Sequence, residues 1–497
     1  MQKWLQEFLR WFRPDSVASP KASTTGTARK AAPEVDQRAP VIAAPAAARR
    51  AARRRPATMT VNVGLDFGTS VSKVMFSAGG SGIEPLDLQS GASGNPGFFV
   101  PSLITVAGGK RLLVGAAAQD HLQQEPDAGG LTRFKMLVAG VADPKFLDAQ
   151  AWKRYRKSVR GWFGSADAVH PEVAASVFIA DTMRRVRLSL EQRNLADELN
   201  IVFNTCVPID QAEHRDVKNA FDRVAAVAQR LYEHFPLDHT PSMAWIDQAA
   251  ALRETVRYEQ DDATRLFVFP EAVASFATYK ESLSRQEGIH ALIDIGAGTT
   301  DVSILYLAIP KGTTAGTECW SARSVPMGMG MIEDDVLNEL DGDGTPTVDQ
   351  TELYALLRSG QHESRDVRPV LSRGLERIWN ATLSTWAEAY RHYKGQERWS
   401  AKNVRIFLAG GGADVHQVRQ TFSRSWQRGW GPYPTETLPT PDDLAGVPGL
   451  PFHRLSVAYG LSRPGPDLDV GILPSLARYY DRAPVSYRVD DPFDGPT

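Results

Sequence analysis

Two stretches more than two hundred residues apart are written in one grammar, and that repetition constrains the fold more than any other feature of the chain. Over 61–76 an apolar run reaches Asp66, passes through Phe67, Gly68, Thr69 and Ser70, and continues as a second apolar run. Over 291–305 the run 291–295 carries Asp294, then come Gly296, Ala297, Gly298, Thr299 and Thr300, then Asp301 and the apolar run 302–305. Apolar runs with strand character around a Gly/Thr turn read as hairpins. Glycine lets the backbone come close to a ligand, so that consecutive N–H groups converge on an anion. Asp294 and Asp301 bracket the second turn on its buried side. A phosphate cradle with a water-coordinated Mg²⁺ needs these residue types. For either copy alone, a tight hairpin whose Asp and Thr serve only the turn is the plainer alternative. Two copies point to a duplicated fold closing two lobes on one polyphosphate.

A chain of 497 residues suits two or three domains. Its net charge of −2 gives no whole-chain argument for nucleic acid. Two cysteines, Cys206 and Cys319, cannot form a disulfide framework, and a reducing cytoplasm is the simplest home. No run approaches the roughly 18 apolar residues of a membrane span.

In chain order, Trp4, Leu5, Phe8, Leu9 and Phe12 share one face of a helix over 1–13, stopped by Pro14. Alone it is too short to be stable. It docks on an anionic membrane, fills a partner's groove, or packs on its own domain. Residues 14–58, rich in Ala, Pro, Ser, Thr and Arg, read as a disordered linker ending in the basic run 49–55. Residues 1–58 hold twelve Lys and Arg against four Asp and Glu, a surplus of eight, so the rest carries −10. Anionic lipid or nucleic acid could meet this tail, or it is simply solvated. The segment 98–115 reads as two β runs around a Gly-Gly turn. Lys135 then stands in the apolar setting of Phe134, Met136 and Leu137. It is either a surface lysine or one reaching a γ-phosphate.

These residues together resemble the nucleotide-binding domain of the seventy-kilodalton heat-shock chaperones, within the actin, hexokinase and heat-shock superfamily. The run 66–70 resembles that family's first phosphate motif and 294–301 its second, and Lys135 falls where the family keeps its catalytic lysine. The helix 177–190, the crossover strand 201–207 and the step at Pro208 are similar to the segment that follows. Glu271, with Ala272 where the family has Pro, looks like its Glu-Pro motif. A first-turn Glu is also favourable at any helix start. The segment 404–414, with Gly410, Gly411 and Gly412, resembles the adenosine motif, and 456–461 the family's second connecting helix.

The resemblance implies an α/β, actin-like two-lobe ATPase built on a duplicated ribonuclease H-like fold. Its domain would span 59–465, with one lobe over 59–290, an insertion near 231–264, the second lobe over 291–455 and a last helix, 456–464, returning to the first. It implies ATP or ADP and Mg²⁺ as ligands. Lys135, Glu271, Asp294, Thr299 and Asp301 would be catalytic. Gly68, Thr69, Ser70, Gly296, Ala297, Gly298, Thr299, Gly410, Gly411, Gly412 and Glu376 would bind nucleotide. Asp66 and Asp294 would hold the metal, mostly through water. Glu376 would clamp the base, but Trp379 and Asn380 stand where the family has a basic pair, and Trp379 either stacks on adenine or is core.

The Pro- and Asp-rich segment 466–497 is too short for the family's peptide-binding module. A calcium loop over 341–352 is disfavoured by Pro346 at the position that demands Gly. The basic and aromatic stretch 152–163 reads as a solvated amphipathic face rather than a nucleic-acid platform. The expected function is a slow ATPase acting as a nucleotide switch for a protein partner, in the cytoplasm and peripheral at a membrane. A filament-forming actin relative, a small-molecule kinase and a non-hydrolysing nucleotide-binding scaffold are the alternatives.

Overall fold

The computed structural model describes residues 58–464 except 89–96, 109–110, 258–263, 310–315, 342–356, 358–366, 393, 395–396, 428–429 and 447–450. The N-terminal helix, the basic run, the loop at 342–352 and the tail from 466 lie outside these residues. The chain is mixed α/β, with two five-membered strand orders in two separate sheets.

The first sheet begins with β1 (Thr58–Asp66) and β2 (Val71–Ala78), an antiparallel hairpin. Val61, Val63 and Leu65 alternate along β1 and are fully buried, the period-2 pattern of a strand over a core. Short strands β3 (Glu84–Pro85) and β4 (Phe99–Pro101) pair with β2, and β5 (Ile104–Ala107) and β6 (Arg111–Val114) form a separate two-stranded hairpin. Helices α1 (Ala116–Gln124), α2 (Phe134–Ala142), α3 (Ala149–Phe163) and α4 (Pro171–Gln192) follow. They lead to β7 (Glu198–Val207), which pairs parallel to β1. In α4, Pro171 at the first turn and the His170 imidazole, which accepts the Glu172 N–H at 3.3 Å, start the helix.

After β7 come α5 (Ile209–Glu213), α6 (Arg215–His234) and α7 (Met243–Thr255). Both long helices pack on α4. Much of the 231–264 stretch is therefore folded helix: Trp245 of α7 is buried and stacks on Phe235 at 4.7 Å. Strand β8 (Leu266–Pro270) pairs parallel to β7 and turns directly into α8 (Glu271–Glu281).

The second sheet starts with β9 (Gly288–Ile295) and β10 (Thr300–Ala308), again an antiparallel hairpin, and β11 (Gly316–Val325) lies antiparallel to β10. Helices α9 (Met329–Asp341) and α10 (Val367–Ala389) precede β12 (Val404–Ala409), which is parallel to β9. A 3-10 turn at Gly411–Asp414, α11 (His416–Phe422), edge strand β13 (Thr435–Thr437) and α12 (Ser456–Leu461) complete the described chain. Sheet one runs β3-β2-β1-β7-β8 and sheet two β11-β10-β9-β12-β13. Counted along these two paths, with β4 on its side branch left out, both follow the order third, second, first, fourth, fifth, with the same strand polarities.

Each sheet has its own apolar core, and a third cluster joins them through Phe276 and Tyr279 of α8, Leu292, Phe407 and Tyr459. Helix α12 packs on both β1 and α8. Its approach depends on glycine: a Cβ at Gly64 would lie 2.1 Å from the Ala458 carbonyl oxygen, and one at Gly460 would lie 1.9 Å from that of Ala274. Among the described residues no helix is long and apolar enough to cross a membrane.

Candidate functional site

The tips of the two long hairpins meet. A Cβ at Gly298 would lie 2.7 Å from Thr69 Cγ2 and 2.0 Å from Met136 Sδ, so the two turns and α2 converge on one point. The first tip is pinned from below, where Ser102 Oγ donates to the Gly68 carbonyl at 2.7 Å and its N–H to that of Ser70 at 2.8 Å. Thr69 is buried there and Ser70 is exposed.

The second tip is held by α9. The Met329 and Gly330 N–H groups donate to the Gly296 and Ala297 carbonyls at 2.9 and 2.8 Å. A trans peptide holds its C=O and N–H antiparallel. The amides of Ala297 and Gly298 therefore point away from α9, as an anion cradle requires. The Gly296 N–H closes the turn on the Thr299 carbonyl at 2.9 Å.

Four carboxylates and two lysines gather beneath these tips. Asp66 lies opposite Lys73 across the first hairpin, with Nζ–Oδ2 at 2.7 Å. Asp294 lies opposite Asp301 across the second. Lys135, from the first turn of α2, forms a buried ion pair with Glu271, the first residue of α8. The Cys206 thiol at the end of β7 lies 3.5 Å from Glu271 Oε1 and 3.7 Å from Asp66 Oδ1. Thr299 Oγ1 donates to Asp301 Oδ2 at 2.8 Å, while Asp301 Oδ1 is buried with no hydrogen-bond partner. A pocket lined by Pro208, Glu271, Ser275, Asp294, Asp301 and Ser303 opens on this cluster.

Electrostatics follow from the crowding. Burial opposes the Lys135 charge, but the Glu271 carboxylate beside it, with Asp66, outweighs it, so its pKa is raised and it stays an ammonium. Burial and then Glu271 push the Cys206 thiol well up, so it stays protonated. Asp294 is pushed up to about 7 by burial first and by Glu271 second, with Lys73 pulling against them. Asp301 is raised by the same two causes, against the hydrogen bond from Thr299.

With every group ionised the cluster would carry two net negative charges. Burial resists that, and a hard divalent cation among oxygen ligands would relieve it. The donor set fits Mg²⁺: carboxylates dominate, the sulfur is protonated, and one Asp301 oxygen lacks a partner. A side chain at Gly410 would close the space, because its Cβ would lie 2.3 Å from Asp294 Oδ1.

Asp66, Lys135, Glu271, Asp294, Thr299 and Asp301 thus come together, and Gly68, Thr69, Gly296, Ala297, Gly298 and Gly410 line the same place. Gly411 and Gly412 continue from Gly410 into the 3-10 turn, where a Cβ at Gly412 would meet Ile295. Glu376 is not among this group: on α10 its carboxylate pairs with Arg424, just beyond α11. Trp379 is core, edge-on to Phe422 at 5.7 Å, and offers no free face for a base. On α3, Tyr155 is buried, Trp152 stacks on it and Trp162 Nε1 donates to the Ala128 carbonyl, so the aromatic rings pack inward and form no platform for bases.

Lys73, Cys206 and Arg133 were not legible as site residues from the motifs. For Lys73 a signal existed, because it follows Asp66 by the seven residues that separate Asp294 from Asp301. No protein-family model and no curated protein matches the sequence.

Proposed function

We propose that the protein is an actin-like, two-lobed nucleotide-binding protein resembling the seventy-kilodalton heat-shock chaperones, and that it binds and slowly hydrolyses ATP as a switch. The observation that carries this reading is the meeting of two equivalent Asp-x-Gly hairpins, one from each of two sheets with the same strand order, over a buried cluster of carboxylates and lysines.

In this reading the outward amides of Ala297 and Gly298, with Thr69 and Thr299, cradle the phosphates. Asp66 and Asp294 would hold Mg²⁺, mostly through water, and the ion would neutralise phosphate charge when bound. The γ-phosphate competes with Glu271 for Lys135. Once Lys135 turns to the phosphate, Glu271 is free to accept a proton from the attacking water. Closure of the two lobes, rather than the product, is the output. The partner that reads it and an anionic membrane surface at 1–13 and 49–55 belong to the same proposal.

Turnover measured on the purified full chain beside Glu271→Gln tests this. Slow Mg²⁺-dependent turnover is expected, with a loss of about 10²–10⁴-fold in the variant and binding retained. Equal turnover in both would remove Glu271 from the reaction.

A further inference from the structure

Arg133 precedes Lys135 by two residues and immediately precedes α2, with φ 55° in the left-handed region. A side-chain-bearing residue keeps that conformation only where its surroundings over-determine it. Its guanidinium is buried and shared among three acceptors: Asp148 Oδ2 at 3.4 Å, the Gly330 carbonyl at 3.3 Å and Asp334 Oδ2 at 3.1 Å. Asp148 caps α3, next to α2 in the chain, whereas Gly330 and Asp334 belong to α9, about two hundred residues away. From the solvent side Arg154 of α3 reaches the same Asp334 oxygen at 3.2 Å.

Helix α9 is the element whose first turn fixes the 296–299 turn. Gly330 is the point of close approach in this contact: a Cβ there would lie 2.9 Å from the Ala297 carbonyl oxygen and 3.1 Å from Arg133 Nη2. One guanidinium therefore ties the start of the helix bearing Lys135 to the helix that holds the second turn.

The Arg154 side chain is 51 % exposed and that of Asp334 20 %, so the outer half is wet and screened by salt. If α9 withdraws, Arg133 keeps Asp148, and no buried charge is left unpaired.

We propose that Arg133 is a positioning residue that, together with Arg154, clasps Asp334, setting Lys135 against the 296–299 turn and governing closure of α9 over the crevice. Its purpose rests on the nucleotide reading above, but the clasp is testable without nucleotide.

Spin labels at Glu125→Cys and Asn380→Cys, exposed sites on α1's end and on α10, report the separation by pulsed electron paramagnetic resonance in the full chain. Native Cys206 and Cys319 are buried and do not compete for label. In nucleotide-free protein, Asp334→Asn and Arg154→Ala are expected to lengthen and broaden the distance distribution. Asp334→Glu should restore it, and 1 M NaCl should reproduce the change in the unmutated protein. Distributions of Asp334→Asn and wild type that superimpose would overturn the clasp. A shift in a protein that binds no ATP would uphold the clasp and overturn the nucleotide reading instead.

Discussion

Asp294 and Asp301 stand directly opposite one another across β9 and β10, at the register position that Asp66 and Lys73 occupy across β1 and β2. The two hairpins share a frame and differ in charge. The first neutralises itself through a 2.7 Å ion pair, and the second sets two carboxylates side by side. Like charges opposite each other in a sheet are unfavourable unless a proton or a cation intervenes.

That difference makes stability pH-dependent. An unfolded Asp titrates near 3.9 and native Asp294 at about 7. Between these values the native state holds a proton that the unfolded chain has released, so stability falls as pH rises. Asp294→Asn removes the effect: at pH 8 it is expected to stabilise the metal-free protein by about 1–3 kcal/mol, toward the low end because Asp294 is partly exposed. At pH 4 little change is expected. Thermal melts at both pH values check this, and a variant that melts below wild type at pH 8 would contradict it. Mg²⁺ should stabilise wild type more at pH 8 than at pH 5.

The Lys135–Glu271 pair is buried, so removing one partner strands the other. Lys135→Ala is expected to cost about 3–5 kcal/mol in urea unfolding, and the double variant Lys135→Met/Glu271→Gln to recover most of it. A single variant within about 0.5 kcal/mol of wild type would mean that water reaches the pair freely.

Much of this site could be read from the chain because its residues sit in short local patterns. Asp-x-Gly turns and the strand–Glu–helix step at Pro270 and Glu271 announce themselves within ten residues. Lys135 had only its apolar neighbours. Lys73 becomes visible once hairpin register is counted, whereas Cys206 is one more apolar-looking residue in a buried strand. Arg133 could not be found, since its partners Gly330 and Asp334 lie 197 and 201 positions away. Glu376 is placed by likeness alone; its carboxylate pairs with Arg424, since the packing of α10 on α11 decides which side it presents.

Gly298 is where the hairpin tips touch, and a methyl group there collides with Met136 and Thr69. Gly298→Ala is expected to cost about 1–3 kcal/mol by forcing the tips apart. ATP affinity should fall at least tenfold, about 1.4 kcal/mol. Calorimetric melting and nucleotide titration of the same sample would show both; unchanged values would mean that the tips are not in functional contact.

Cys206 and Cys319 are both buried with raised pKa values, so thiolate is scarce and access is closed. In the native protein neither should react with Ellman's reagent on the timescale on which the urea-unfolded chain releases two equivalents. Rapid reaction of one thiol in the native state would show that the crevice near Cys206, or the core near Cys319, opens readily.

The most direct measurement is isothermal titration of ATP into the full-length protein, with and without Mg²⁺, for wild type and Asp294→Ala. The account predicts saturable one-site binding to wild type that strengthens with Mg²⁺, and a loss of at least tenfold in the variant. Absence of binding to wild type under both conditions, in a protein that melts cooperatively, would contradict the claim that the two hairpins enclose a nucleotide.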